Sequence, residues 1–295
     1  MRVRTLAVAL LAGGLALTAC GKEGSPSDSG SVPSQAVATD VKVDGSPTFE
    51  KMKSRGKVVI GVKEDQPGLG IKDATTNKYS GFDVEIARLV AAKLGFGEDK
   101  IEYKAIASAG REQALINGDV DYYVGTYTIN AGRKEKVGFA GPYYTAGQDL
   151  LVRKDDTSIT GKDTLKGKKV CSATGSTPIK RIKDENLTEP ENIIEFQNYS
   201  QCVAKLAEGA VDAVTTDDAI LKGYAALESD KFRVVEKPFS VEPYGIGLPK
   251  DDKALRDKVN DILDEAISGG KWQEIYDATL GKSGSSAQKP VIERY

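Results

Sequence analysis

Two arginines, Arg111 and Arg133, bracket one short apolar stretch, SAGREQALINGDVDYYVGTYTINAGR over residues 108–133. A planar guanidinium pairs with a carboxylate through two parallel hydrogen bonds, so two of them suit a small molecule carrying more than one carboxylate. Between them lie the hydroxyls of Thr126 and Thr128, with Ser108 at the leading end. The chain contains no histidine, which removes the commonest general base and the commonest metal ligand. The chemistry expected of these residues is recognition rather than catalysis, with no metal and no cofactor.

The elements around them follow from pattern. Ala114, Leu115 and Ile116 end a short helix at Asn117-Gly118, and residues 120–124 are β-branched and aromatic, as in a strand. The polar loop then starts at a strand's carboxyl end, where open α/β sheets bind ligands. Upstream, residues 58–62 are continuously apolar, as in a strand buried on both faces. A helix follows from Gly81, with Phe82, Ile86, Leu89, Val90 and Leu94 at helical spacing and Gly95 as its stop. Residues 101–105 form the next strand, completing a β-α-β unit of a parallel sheet. A second series begins near Leu165, with strands at 168–172, 193–196, 211–215 and 232–235. Its helices fall at 201–208 and 217–227. A further helix opens after Gly175, with Ser176 or Thr177 as cap and Pro178 in its first turn. Leu115-Ile116-Asn117-Gly118-Asp119-Val120-Asp121 in the first series matches Leu206-Ala207-Glu208-Gly209-Ala210-Val211-Asp212 in the second. Two similar α/β lobes are expected. Residues 244–248 read as another strand, and amphipathic helices around Leu255 to Ile267 and Trp272 to Tyr276 cap one lobe.

The amino terminus is of another kind. Arg2 and Arg4 precede an apolar run over residues 6–17, too short for a membrane span. Leu17-Thr18-Ala19-Cys20 resembles the lipobox of bacterial lipoproteins, which implies a signal peptide over 1–19 and acylation of the Cys20 thiol. Residues 20–48, rich in Gly, Ser, Pro and Asp, read as a flexible tether. Cys171 and Cys202 remain, an even pair that reads as a disulfide in an exported protein. The 41 basic and 43 acidic residues show no basic patch of the kind that binds nucleic acid. The tail over 283–295 is polar and expected to be loose.

Four motifs in order resemble the family 3 extracellular solute-binding proteins, the polar amino-acid receptors of ABC importers. They are Gly81-Phe82-Asp83-Val84-Glu85-Ile86, Thr126 to Arg133 with Phe139-Ala140-Gly141-Pro142-Tyr143, Val211-Asp212-Ala213 with Asp217, and Tyr244-Gly245-Ile246-Gly247-Leu248-Pro249-Lys250. Within the family the chain looks most like glutamate-binding lipoproteins of Gram-positive bacteria, through Lys63-Glu64-Asp65-Gln66-Pro67-Gly68-Leu69-Gly70 and the two cysteines. The resemblance implies a two-lobed periplasmic-binding-protein-like α/β fold of type II, each lobe a mixed sheet flanked by helices and joined by a two-segment hinge. The first lobe would take residues 49–146 and 245–282 and the second 147–244. Arg133 would grip an α-carboxylate with Thr128, and Asp217 would face the α-ammonium. Gly175, Ser176 and Thr177 would offer backbone amides at a helix N-terminus, and Thr126 would line the floor. Lys63, Ser108 and Arg111 would read a distal carboxylate and repel cationic ligands. Phe82 reads as core, Asp83 as structural, and Tyr143, Tyr144 and Tyr244 as packing at the hinge or rim. The expected protein is a monomer on the extracellular face of the cell membrane, partnered by permease subunits. It would bind glutamate, with glutamine, aspartate or asparagine as alternative ligands and an enzyme on the same scaffold as the other class.

Overall fold

The computed structural model describes residues 34–285 and 288–295. The signal peptide and the acylated Cys20 expected from the sequence lie outside them. Among the described residues the strands form two five-stranded sheets built to one plan, and a small antiparallel sheet of Asp65–Gln66, Gly70–Lys72 and Tyr79–Ser80. In the first, Val58–Val62 lies between Ile101–Ala105 and Tyr122–Tyr123, all parallel; Glu242–Leu248 then runs antiparallel between Tyr122–Tyr123 and Gly138–Ala146. In the second, Val170–Ala173 lies between Ile193–Phe196 and Ala213–Asp217, again parallel; Gln148–Arg153 runs antiparallel between Ala213–Asp217 and Phe232–Val234.

In each sheet the antiparallel fourth strand is the one that has just arrived from the other lobe. The chain crosses at Gly147, between Gly138–Ala146 and Gln148–Arg153, and returns into Glu242–Leu248. The returning strand pairs with the first lobe from its first residue, Glu242 opposite Ala146 and Tyr244 opposite Tyr144. Strands Val58–Val62 and Val170–Ala173 are buried along their whole length, as central parallel strands covered on both faces must be.

The helix after Gly81 spans Phe82–Lys93 and is buried nearly all round, wider than its one-faced spacing suggested. The cause is the C-terminal pair of helices, Lys253–Ser268 and Lys271–Ala278, which packs over it. Trp272 is fully buried, meets Phe82 edge-on at 5.9 Å and stacks on Tyr276 at 5.5 Å. Its Nε1 donates to the Tyr143 carbonyl at 2.7 Å. A chain end from after the second lobe thus completes the first lobe's core. In the second lobe a disulfide joins Cys171 on the central strand to Cys202 on helix Tyr199–Ala207.

Where they are described, from residue 34 and at the carboxyl end, both flanks expected to be loose are packed instead. Val43 is buried in the first-lobe core and the Ala38 amide donates to the Ala92 carbonyl at 2.9 Å. A helix at Pro47–Arg55 is capped by Ser46. Asp252 serves two helix starts at once: it accepts from the Leu255 amide at 3.0 Å, the Thr48 amide at 3.1 Å and the Ser46 hydroxyl at 2.7 Å. The tether expected to reach residue 48 therefore includes packed chain. At the other end the Glu293 amide donates to Gly141 and the Phe139 amide donates to the Tyr295 hydroxyl at 2.7 Å. Arg294 pairs with Asp261 and Asp264, and Tyr295 lies between Lys134 and Arg256. Polarity suggested a free tail, but ion pairs and an amide and a carbonyl of the edge strand hold it down. Among the described residues no helix is long and apolar enough to cross a membrane.

Candidate functional site

Register decides which side chains meet. Val62 pairs with Ala105, and Gly61 pairs with both Lys104 and Tyr123, so three parallel strands end together. The residues that follow, Lys63, Ser108 and Thr126, arrive at one sheet edge. Lys63 Nζ donates to Ser108 Oγ at 2.7 Å. Arg111 opens the helix Arg111–Ile116 and turns back, its Nε donating to the Ser108 carbonyl at 3.0 Å and its second nitrogen to the Thr126 carbonyl at 3.3 Å. Arg133 donates to the Thr128 carbonyl at 2.7 Å. Its Nε lies 3.4 Å from Glu112. Both guanidiniums sit over Tyr127, at 4.3 and 4.9 Å from the ring. The aromatic face attracts both cations, so they stand near one another in a place that would otherwise push them apart.

The second lobe meets this cluster with backbone. Gly175 takes φ 77°, and a Cβ there would fall 2.7 Å from the Ala109 Cα; the approach of the lobes requires glycine. Its carbonyl accepts from Arg111 at 3.4 Å and from Arg133 at 3.2 Å. Ser176 caps the helix Thr177–Asp184 by accepting from the Ile179 amide, while its own amide donates to Ala173. The amides expected to face a ligand are thus partly used in the fold: Gly175 presents its carbonyl to the arginines and Ser176 is internally bonded. Thr177 at the helix start reaches the other lobe, its hydroxyl 3.3 Å from that of Thr128. Asp217 stands at the end of Ala213–Asp217, held by the Tyr244 hydroxyl at 2.7 Å through Oδ2. Its Oδ1 is buried and has no partner among the described residues.

The three cations are nearly sealed from solvent: Lys63 is 4 % exposed, Arg111 2 % and Arg133 8 %. Burial first, then the field of Arg111, lowers the Lys63 pKa to about 7. Burial and Arg111 also lower Arg133, to about 10. Burial, with Glu242 adding like charge, raises Asp217 to about 8. Each shift marks a charge short of compensation. The structure thus brings together Lys63, Ser108, Arg111, Thr128, Arg133, Gly175, Thr177 and Asp217. Thr126 lies beneath, its hydroxyl donating to Gln66 Oε1 at 3.1 Å and its amide to Asp83 at 3.0 Å. Beside Arg133 a groove of roughly 620 Å³ opens to solvent, lined by Glu112, Asn130, Lys136, Thr177 and Lys180 among others. Among the described residues no group of three or more His, Cys, Asp or Glu side chains could hold a metal.

A family model for bacterial extracellular solute-binding proteins, family 3, matches residues 58–282. The chain belongs to this family. Among relatives of this solute-binding protein, the glutamate-binding protein GluB of Corynebacterium efficiens is 41% identical over 244 residues, covering 79% of this chain and 82% of its own. The glutamine-binding protein of Geobacillus stearothermophilus is 41% identical over 250 residues, covering 84% of this chain and 92% of its own. Among solved structures, an ancestral arginine-binding protein bound to arginine is 35% identical, with TM-score 0.70, covering 76% of this chain and 97% of that one. These neighbours share the two-lobed α/β architecture described above.

Several contributors were not singled out from the sequence. Tyr127 lies beyond the strand Tyr122–Tyr123, after Thr126 at φ 46°, and its ring carries both arginines. Gln66 is fully buried, and its Nε2 has no partner among the described residues. Tyr244, read as packing, orients Asp217 through its hydroxyl. Asp83 is structural, as read: it holds the Thr126 amide and takes a hydrogen bond from Tyr143 at 2.8 Å.

Proposed function

We propose that this solute-binding protein captures an acidic amino acid, glutamate first, outside the membrane and delivers it to an ABC permease. One observation carries the choice of ligand: three buried cations gather opposite a single buried carboxylate oxygen with no partner. Among the buried ionisable groups of this corner, Lys63, Arg111 and Arg133 exceed Asp83 and Asp217 by one positive charge; Glu112 beside Arg133 is 22 % exposed and Asp65 near Lys63 is half-buried. Glutamate or aspartate, with two carboxylates and one ammonium, supplies the missing negative charge. Glutamine leaves one positive charge over and arginine adds another, each in a site of low dielectric where like charges repel strongly.

Arg133 and Thr128 take the α-carboxylate, Asp217 Oδ1 takes the ammonium, and Lys63, Ser108 and Arg111 take the distal carboxylate. Thr177 closes from the second lobe and Thr126 supports the floor. Glutamine is the second reading, favoured by the relative named for binding it. The chain performs no reaction in this reading. Acylation at Cys20 tethers it to the outer face of the membrane.

Calorimetry of the mature chain with L-glutamate, L-aspartate, L-glutamine, L-asparagine and L-arginine tests the reading. Glutamate is expected to bind at micromolar Kd or tighter, roughly −8 kcal/mol or better, with arginine silent. Tighter binding of glutamine than of glutamate overturns the choice of ligand. No response to any of the five overturns the class.

A further inference from the structure

We propose that Asp65, Tyr224 and Gly223 form a latch between the lobes, separate from the ligand contacts, that sets how long a guest is retained. The inference rests on the receptor reading above. Asp65 belongs to the first lobe, in the short strand Asp65–Gln66, two residues beyond Lys63. Its carboxylate crosses to the second lobe and accepts the Ser200 amide at 3.1 Å. Ser200 lies in the first turn of the helix Tyr199–Ala207, where amides have no intrahelical acceptor and the helix dipole favours an anion. The Asp65 carbonyl accepts from the Tyr224 hydroxyl, which lies 3.4 Å from the carboxylate as well. Tyr224 comes from a second helix of that lobe, Asp218–Leu227. The residue before it, Gly223, faces Pro67; a Cβ there would sit 2.2 Å from the Pro67 carbonyl oxygen. Glycine at this point lets two backbones touch.

These contacts exist only while the lobes are together, and the fold of either lobe does not need them. The helix Tyr199–Ala207 keeps its own capping box between Asn198 and Gln201. They are also tied to the ligand corner by chain continuity. Within four residues, Lys63 bonds Ser108, Asp65 bonds the second lobe and Gln66 bonds Thr126. A guest carboxylate that fixes Lys63 therefore places Asp65 under the Ser200 amide. Bonds made only in the closed form shift the open–closed balance toward it and slow escape.

The test uses the mature chain and the variants Asp65→Ala, Tyr224→Phe and Gly223→Ala. L-glutamate dissociation is followed by stopped flow, and the radius of gyration is measured by small-angle scattering without and with ligand. Asp65→Ala is expected to release glutamate about 10–30-fold faster and Tyr224→Phe about 3–10-fold faster, with little change in association rate. Tyr224→Phe leaves the Asp65 charge beside Lys63 intact, so its effect reports the contact and not the field. Gly223→Ala is expected to enlarge the radius of the ligand-bound form. Wild-type dissociation rates in both Asp65→Ala and Tyr224→Phe overturn the latch. If wild type itself binds no glutamate, the receptor reading fails separately, and scattering of the ligand-free variants decides the latch: larger radii than wild type support it, equal radii overturn it.

Discussion

Leu115 to Asp121 in the first lobe and Leu206 to Asp212 in the second run through the same moves. A helix ends, a glycine turns at φ 69° or 72°, and an aspartate leads into the third parallel strand. In each lobe that aspartate's amide donates at 2.8 Å to the neighbouring strand, to Val59 or Lys169. Its carboxylate accepts an amide back, from Val59 at 2.7 Å or from Lys169 at 2.8 Å. The lobes differ in depth and in what they mount at their strand ends. Asp121 has a side chain 1 % exposed and is paired with Arg55; Asp212 is 33 % exposed and 3.9 Å from Arg153. The first lobe carries three buried cations on a tyrosine platform. The second offers a glycine carbonyl, a helix start and one carboxylate. A shared supersecondary unit sets where strand ends lie, and the residues placed there decide what they recognise.

The largest contrast concerns what holds each lobe. Trp272→Ala removes the aromatic that bridges Phe82, Tyr276 and Tyr143, and is expected to destabilise the first lobe by about 3–5 kcal/mol. The double variant Cys171→Ala, Cys202→Ala opens a loop with a sequence separation of 31 and is expected to cost the second about 3–4 kcal/mol. Differential scanning calorimetry should show the lower transition moving in one variant and the other transition in the second. Equal shifts of both would mean that the lobes unfold as one unit.

Next come the two charges proposed to face one guest from opposite sides. Arg133→Ala and Asp217→Ala each leave a buried opposite charge of the ligand unpaired, so each is expected to weaken glutamate binding by about 2–4 kcal/mol, measured by calorimetry. An unchanged Kd in Asp217→Ala would remove the second lobe from ammonium recognition.

The repeated aspartates follow. Asp121→Ala strands the buried Val59 amide and is expected to cost about 2–3 kcal/mol in urea unfolding. Asp212→Ala, with water at hand, is expected to cost about 1 kcal/mol. Equal losses would contradict the difference in depth.

The smallest effect per step is that of pH. The proposed binding mode requires Lys63 charged and Asp217 ionised. Lys63 has its pKa lowered to about 7, so above that pH its proton must be taken up. Asp217 has its pKa raised to about 8, so below that pH its proton must be released. Affinity is therefore expected to peak between pH 7 and 8 and to fall up to about tenfold per unit, roughly 1.4 kcal/mol, on either side. Calorimetry in buffers of different ionisation enthalpy should show proton release at pH 6.5 and uptake at pH 8.5. Uptake at both values would place the acid-side group elsewhere than Asp217.

Much of this was readable in the order of residues. Continuous apolar runs at 58–62 and the alternation of strand and helix declared parallel α/β units, because such burial patterns are local in the chain. The two cysteines left for pairing declared their bond, and the family motifs put forward Thr126, Thr128, Arg133 and Asp217 as candidates for the site. Short strands shrank to what the ladder permits: the strand expected over 120–124 pairs only at Tyr122–Tyr123, since its neighbours on both sides constrain it.

What the chain order could not declare is everything that depends on distant partners. Tyr127 beneath two arginines, Tyr244 orienting Asp217, Asp252 serving two helices 200 residues apart and the tail clamped by Tyr295 all join positions whose distance is set by sheet register and helix packing. So do the pKa shifts of Lys63 and Asp217, because a charge becomes costly only when the second lobe takes its water away. Residue identity supplied the functional groups; their enclosure, mutual distance and unmet charge arose when two lobes came together.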